Sequence, residues 1–117
     1  MGCGCRVVHF SDVERSRVEE SGSKGTWVRW LISWEHGAPN FAMRMFEVEP
    51  GGNTPLHSHG WEHEIFILEG EAKIICGDEE HEAREGYAIL IPPNVKHSIV
   101  NTGDRMLRLL CLIPRSR

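Results

Sequence analysis

The sequence predicts an all-β domain, either a sandwich or a barrel, that spans residues 26–117. Short runs rich in Val, Ile, Phe, Trp and Leu follow one another from residue 26 onwards, and turn-forming residues separate them at short intervals. No stretch after residue 26 places apolar residues at the i, i+3, i+4, i+7 spacing of an amphipathic helix. Many short strands with frequent turns are typical of sandwiches and barrels, and the strand pattern alone does not choose between them.

Taken in chain order, the apolar runs predict the extended segments. These are residues 26–34, 41–48, 55–59, 63–68, 71–76, 80–83, 87–91, 96–101 and 106–113. Gly, Pro, Asn and Asp predict turns between them, for example at residues 50–52 and 92–94. Residues 1–25 are polar and lack apolar periodicity, so they are predicted to form a flexible lead-in.

Composition argues against two classes of partner. The 117 residues fit one domain, and an apolar content of 40% with 26% charged residues is that of an ordinary soluble protein. The net charge is −4 and Lys and Arg are not clustered, which argues against nucleic acid. No apolar run approaches the roughly 20 residues that cross a bilayer, and no signal sequence is visible. We therefore expect a small-molecule partner, with neither nucleic acid nor membrane.

The four cysteines do not suggest a disulfide framework. Cys3 and Cys5 share a Gly-rich N-terminal stretch, which we interpret as a tail because no second Cys pair completes a four-ligand metal site. Cys76 and Cys111 lie within apolar runs and are predicted to be reduced thiols in the core. This usage is typical of a protein in the reducing cytoplasm.

Four of the seven histidines suggest a metal site. His57, His59 and His63 fall within seven consecutive residues, and His97 follows further along the chain. On an extended strand, residues two apart point to the same side, so His57 and His59 can bind one metal ion together. A short turn precedes His63, so strand parity does not extend to it, although a hairpin would bring it beside the pair.

Two motifs resemble those of the cupins. Residues 51–70 read GGNTPLHSHGWEHEIFILEG and resemble the first cupin motif, with its two glycines and its His-x-His pair. Residues 86–101 resemble the second motif. The matching residues there are Gly86, Pro92, His97 and Asn101. The resemblance implies a single cupin β-barrel, the jelly roll or double-stranded β-helix, with one divalent metal ion per chain.

One position departs from the first motif. Where cupins usually have a glutamate ligand, this sequence has His63, and Glu64 comes next. Six residues separate His63 from Gly70, as the motif requires, whereas only five separate Glu64 from it. We therefore assign His63 as a ligand and expect Glu64 to point away. The resemblance is thus to small manganese cupins with an all-histidine site, whose ligands here are His57, His59, His63 and His97.

Such a site would bind anions or enolates. Four neutral imidazoles leave the charge of a dipositive ion uncompensated, and in octahedral geometry two positions stay open. The resemblance implies manganese, with iron second, while imidazole donors also suit Ni, Cu and Zn. Arg44 interrupts an apolar run; facing inward it would clamp a substrate carboxylate or enolate, and facing outward it would be a solvated charge. Alternation leaves both open, and the resemblance favours the cavity.

Three classes of function are compatible with this site. The first is a metal-dependent dioxygenase or related oxidoreductase that acts on a small enolic, phenolic or anionic molecule. The second is a non-oxidative lyase or isomerase that uses the metal as a Lewis acid. The third is a binding or sensing module without turnover. Because a fold does not define a function, the motifs support the metal site better than the substrate.

The first predicted strand also suggests a homodimer. Trp27, Trp30 and Trp34 lie on a segment that is largely apolar on both faces. A small barrel has one core to cover, so part of this surface is predicted to pack against a second copy. Cupins commonly pair through their N-terminal strands, which agrees with this expectation.

Overall fold

The computed structural model describes residues 4–115, and most of them belong to β-strands. The strands are β1 (Ser16–Arg17), β2 (Lys24–Ile32), β3 (Phe41–Asn53), β4 (His63–Glu69), β5 (Glu71–Cys76), β6 (Glu79–Arg84), β7 (Ala88–Ile91), β8 (His97–Asn101) and β9 (Leu107–Pro114). Two single-turn 3₁₀ helices, Phe10–Asp12 and Trp34–His36, are the helical elements of this part of the chain. No helix within residues 4–115 is long and apolar enough to span a membrane.

The strands form one antiparallel sheet that curls into a half-barrel. Its order is β6-β5-β8-β3-β9-β4-β7, while β2 pairs with the other edge of β3 and β1 pairs with β2. β3 pairs with β9 over residues 41–48, and its far end pairs with β8 at Asn53. One long strand thus belongs to both sides of the curled sheet. This arrangement confirms the predicted all-β fold and is that of a jelly roll.

Strand alternation determines which side chains fill the interior. In β4, Ile65 and Ile67 are buried, whereas Glu64 and Phe66, which alternate with them along the strand, are exposed. The same alternation runs along β9, where every second residue from Leu107 is buried. Each such side chain stabilises the fold by roughly 1.5–3 kcal/mol through removal of apolar surface from water. The inward positions of these two strands therefore supply both the core and one wall of the cavity described below.

Three sequence predictions about local structure are wrong. The first predicted strand, at residues 26–34, ends at Ile32, and Trp34 belongs to the 3₁₀ helix Trp34–His36. The segment 55–59 is irregular, apart from one isolated bridge between His57 and His97, because Pro55 has no N–H group to donate to a ladder. The predicted turn at residues 50–52 is an irregularity within the continuous strand β3, whose end pairs with Lys24 of β2. There a Cβ on Gly52 would lie 2.6 Å from the carbonyl oxygen of Lys24, so the close approach requires glycine.

Residues 9–20, which we call the N-terminal strap, contact β2, and the part that forms β1 pairs with the edge of that strand. Arg29 Nη1 donates hydrogen bonds to the carbonyl oxygens of Phe10 (3.3 Å) and Val13 (2.6 Å). The amide of Val18 donates to Thr26 (2.9 Å), next to the pairing of β1 with β2. The domain boundary at residue 26 stays a prediction, but part of the predicted lead-in contacts the barrel. Cys3 lies outside the described residues.

A buried carboxylate lies beneath this strap. The side chain of Glu47 in β3 is 1% exposed and points out of the barrel, away from the interior. It accepts hydrogen bonds from Arg108 Nε (2.8 Å), Arg29 Nε (3.1 Å) and Arg15 Nη1 (3.4 Å). Burial raises the pKa of Glu47, but hydrogen bonds and charge from Arg108 and Arg29 outweigh that effect and hold the pKa below its ordinary value. The strap and three strands are therefore tied to one ionised group.

Candidate metal centre

Four imidazoles meet at one place in the interior of the barrel. His57 and His59 come from the irregular segment after β3, while His63 begins β4 and His97 begins β8. Neighbouring rings have centroids 4.2 to 5.8 Å apart, and the Nε2 atoms of His57 and His59 are 3.2 Å apart. His63 and His97 are buried, and the other two are half-buried. The fold thus brings together all four histidines that the motifs singled out.

Three of these rings use Nδ1 for a hydrogen bond directed away from the cluster. The partners are Glu20 Oε2 for His57 (2.7 Å), the Val95 carbonyl for His97 (2.9 Å) and Cys111 Sγ for His63 (3.2 Å). A carbonyl oxygen can only accept, so Nδ1 of His97 carries the proton and its Nε2 keeps a lone pair. Metal-bound histidines commonly have such a partner on the other nitrogen.

The residues present fit a divalent metal ion. The ligand atoms of His57, His59 and His97 all lie within 4.8 Å of one another. Nε2 of His63 is buried and has no hydrogen-bond partner, which costs on the order of 1–3 kcal/mol unless another group binds it. An ion that accepts imidazole nitrogen would remove this cost. That His63 belongs to the ligand set stays a prediction, and its unpartnered nitrogen supports it.

The buried environment favours the neutral form of three of the imidazoles. Burial, followed by the charges of His97 and Arg44, lowers the pKa of His63 to about 3. Burial also lowers the pKa of His59, with a further contribution from His57. Burial lowers the pKa of His97, and this effect outweighs the hydrogen bond to the Val95 carbonyl, which raises the pKa. Neutral rings have the free lone pair that a metal ion requires.

The position of Glu64 agrees with its exclusion from the ligand set. It is exposed, whereas His63 before it and Ile65 after it are buried. Because successive residues of a strand point to opposite faces, the carboxylate of Glu64 lies outside the barrel. The six-residue count to Gly70 therefore selected the residue that faces the interior.

Arg44 faces the cavity, which answers the question that alternation left open. It pairs with Trp30 of β2 on one side and with Cys111 of β9 on the other. Its Nη2 donates a hydrogen bond to Cys111 Sγ (3.2 Å), and its guanidinium lies 5.3 Å from the Trp30 ring and 4.9 Å from the Phe46 ring. Its Nε is buried without a hydrogen-bond partner. Arg44 therefore lines the cavity and carries one N–H group without a protein partner.

These groups surround one cavity of about 300 Å³. Most of its wall away from the histidines and Arg44 is apolar or aromatic. The residues of that wall include Val28, Trp30, Phe46, Ile65, Ile99 and Leu109. The ring of Trp61, outside this wall, is stacked on His59 with centroids 4.5 Å apart. Small-molecule sites commonly combine such apolar walls with a few polar groups.

Sequence reasoning missed Glu20 as a residue of this site. It belongs to the strap, lines the cavity together with Val18 and Glu19, and contacts a histidine 37 positions away. No motif or periodicity of the polar lead-in indicated this contact. The position of Cys111 between Arg44 and His63 was also not predicted, although its inward orientation was.

Comparison with known proteins defines the class. The family described as the cupin domain matches residues 44–113, and the chain belongs to that family. The polyketide cyclase RemF from Streptomyces resistomycificus is similar in structure, with a TM-score of 0.89 and 39% identity over 97% of this chain and 81% of that chain.

Two curated proteins are similar in sequence. Protein SchB of Streptomyces halstedii is 33% identical over 107 residues, which cover 90% of this chain and 74% of SchB. The oxalate-binding protein of Thermotoga maritima is 31% identical over 112 residues, which cover 92% of each. The matched family region begins at Arg44, so β1, β2 and the strap precede it.

Proposed function

We propose that this cupin is a metal-dependent cyclase that acts on a polyketide-type substrate with 1,3-dicarbonyl groups. The observation that carries the proposal is that four imidazoles and Arg44, whose Nε has no hydrogen-bond partner, surround one largely apolar cavity. The 39% identity to the polyketide cyclase RemF supports this choice. The name of the Thermotoga maritima relative supports the same ligand chemistry, since oxalate also presents two oxygens in a chelating arrangement.

The histidines would hold the metal with no negative charge of their own. A divalent ion bound there supplies Lewis-acid chemistry, which acidifies the hydrogens between two carbonyl groups. His63, His59 and His97 stay neutral because burial lowers the pKa of each. A cavity with positive charge from Arg44 and no ligand carboxylate favours an enolate over the neutral diketone.

Arg44 would orient the substrate. Arg44 lines the cavity and its Nε–H has no hydrogen-bond partner within the protein. A hydrogen bond from an arginine to an enolate or carboxylate oxygen is charge-assisted. The Cys111 thiol and the rings of Trp30 and Phe46 restrict the guanidinium to one position. A fixed donor of this kind aligns the reacting carbon atoms, which is a large part of catalysis in a cyclisation.

The reaction balances without an oxidant. A proton leaves the carbon between two carbonyls, and that carbon forms a bond to a third carbonyl carbon, whose C=O double bond opens as its oxygen takes up a proton. The resulting hydroxyl then leaves as water together with the second hydrogen of the attacking carbon. The apolar wall of Val28, Phe46 and Ile65 excludes bulk water, which would otherwise protonate the enolate. The product is lighter than the substrate by the mass of one water.

A dioxygenase is the second candidate. A four-histidine set leaves two of six octahedral positions open, which suits a substrate together with dioxygen as well as a chelating diketone. The two functions differ in mass balance, because an oxygenase adds oxygen atoms to its product. Manganese remains our prediction for the cellular metal, with iron second, and zinc is expected to support cyclisation because no redox step is required.

The experiment is a comparison of metals with and without oxygen. Apo-protein is loaded with Zn or Mn and incubated with an aryl-substituted linear tetraketide, whose chain is long enough to close a six-membered carbon ring by this step, under strict anaerobiosis and in air. Products are identified by mass spectrometry. We expect a dehydrated cyclic product with either metal and without oxygen. Conversion that requires air and adds oxygen to the product would refute the cyclase and support the dioxygenase. Binding of the tetraketide without conversion under every condition would support a binding module instead.

A further inference from the structure

The carboxylate of Glu20 is the group on the N-terminal strap that contacts the histidine cluster directly. We propose that Glu20 is a positioning residue of the metal site, which holds His57 in the tautomer whose Nε2 is available to the metal. The inference rests on the metal site proposed above and extends it to a segment that precedes the matched family region.

The geometry of the contact defines the tautomer. Oε2 of Glu20 lies 2.7 Å from Nδ1 of His57, and an ionised carboxylate can only accept a hydrogen bond. Nδ1 of His57 therefore carries the proton, and its Nε2, which lies 3.2 Å from Nε2 of His59, keeps a lone pair. Without Glu20, the free imidazole would populate both tautomers, and one of them places a proton where the metal must bind.

Glu20 differs from the other two Nδ1 partners. The Val95 carbonyl and the Cys111 thiol are neutral groups and both lie within the matched region, at residues 44–113. Glu20 brings a negative charge to a site whose predicted ligands are all neutral. A carboxylate on the second ring nitrogen makes the imidazole a stronger donor and partly offsets the charge of a bound cation.

The backbone around Glu20 is held on both sides. Before it, Val18 donates a hydrogen bond to the carbonyl of Thr26 (2.9 Å). After it, the amide of Ser23 donates to the Glu20 carbonyl (3.0 Å), and Asn53 Nδ2 donates to the carbonyl of Gly22 (2.7 Å). The carboxylate is therefore presented to His57 from a turn that is attached to β2 and β3.

The expected effect is moderate because the Glu20 side chain is 53% exposed. Loss of an outer-shell partner typically weakens metal binding by about 10–100-fold, and water screens an exposed carboxylate. We expect the lower end of that range. Zinc affinity of the full-length protein is measured by competition with a chromophoric chelator. We expect Glu20→Ala to weaken binding about tenfold, and Glu20→Gln to recover most of it because an amide oxygen accepts the same hydrogen bond.

Glu19→Ala is the matched control, since Glu19 is the adjacent carboxylate on the wall of the same cavity. We expect its zinc affinity to stay within about twofold of wild type, because it removes the same charge without the bond to His57. Equal weakening by both substitutions would overturn the proposal, since the effect would then be one of charge alone. Thermal unfolding of each apo-variant verifies that the variants fold.

The tautomer itself gives a second readout that a purely structural role would not change. In ¹⁵N-histidine NMR spectra of the zinc-loaded wild type, we expect His57 to have a protonated Nδ1 and a metal-bound Nε2. This measurement also decides the matter if Glu20→Ala does not fold. A wild type that binds no zinc would refute the metal site and this inference with it. If Glu20→Ala binds zinc as tightly as the wild type, the role of Glu20 is overturned while the metal site stands. The same holds if His57 of the wild type binds zinc through Nδ1.

Discussion

Replacing Glu47 by glutamine removes the charge that three arginines share beneath the strap. The side chain is 1% exposed and accepts hydrogen bonds from Arg108, Arg29 and Arg15. Removing one partner of a buried ion pair costs about 3–5 kcal/mol, because the remaining charges stay buried without compensation. Two of the arginines are partly exposed, so we expect the lower end, about 3 kcal/mol of the free energy of unfolding. In a domain of this size that corresponds to a fall in Tm of roughly 10 °C.

The pH dependence gives an independent measure of the same interaction. The pKa of Glu47 in the folded protein lies below its ordinary value of 4.5, so the stabilisation is fully present above pH 4.5. It is lost as the pH falls through the lowered pKa, and Glu47→Gln lacks this part of the acid dependence. Urea unfolding at pH 7 and at pH 3 measures both effects, with Glu85→Gln, at an exposed ion pair with Arg105, as the control. Equal stability of Glu47→Gln and wild type at pH 7 would refute the reasoning.

Three further predictions concern the site and the assembly. His63→Ala is expected to weaken zinc binding by at least tenfold if His63 is a ligand, and chelator competition that finds no change would remove it from the ligand set. Arg44→Gln is expected to lower kcat/KM for the tetraketide by about 10–100-fold, the loss of one charge-assisted hydrogen bond, with metal content unchanged. A loss of metal content would instead assign it to the stability of the site. Light scattering at micromolar concentration is expected to find a homodimer, although Arg15 and Arg17 cover Trp27 within one chain; a monomer would contradict this.

The sequence by itself determined the features that depend on local periodicity and on short motifs. The assignment of His63 rather than Glu64 follows from the six-residue count to Gly70 that the resemblance to the first cupin motif requires. The structure has His63 buried and Glu64 exposed, on opposite faces of β4. The all-β class follows from the apolar runs and the turns between them. Strands β5 and β9 lie at two of these runs. Side-chain direction along one strand is a local property, so it can be read without knowledge of the partner strands.

Only the tertiary structure decided what depends on contacts between distant segments. Arg44 faces the cavity because its register with Trp30 and Cys111 places all three on the inner face of the sheet. Strand β3 continues through residues 50–53 because β2 and β8 pair with its end. Glu20 reaches His57 because the strap pairs with the edge of β2 and the chain then turns at Gly22, whose carbonyl accepts a hydrogen bond from Asn53 at the end of β3. Strand register and contacts between distant segments are set by the packing of the whole barrel, and no local pattern of the polar lead-in encodes them.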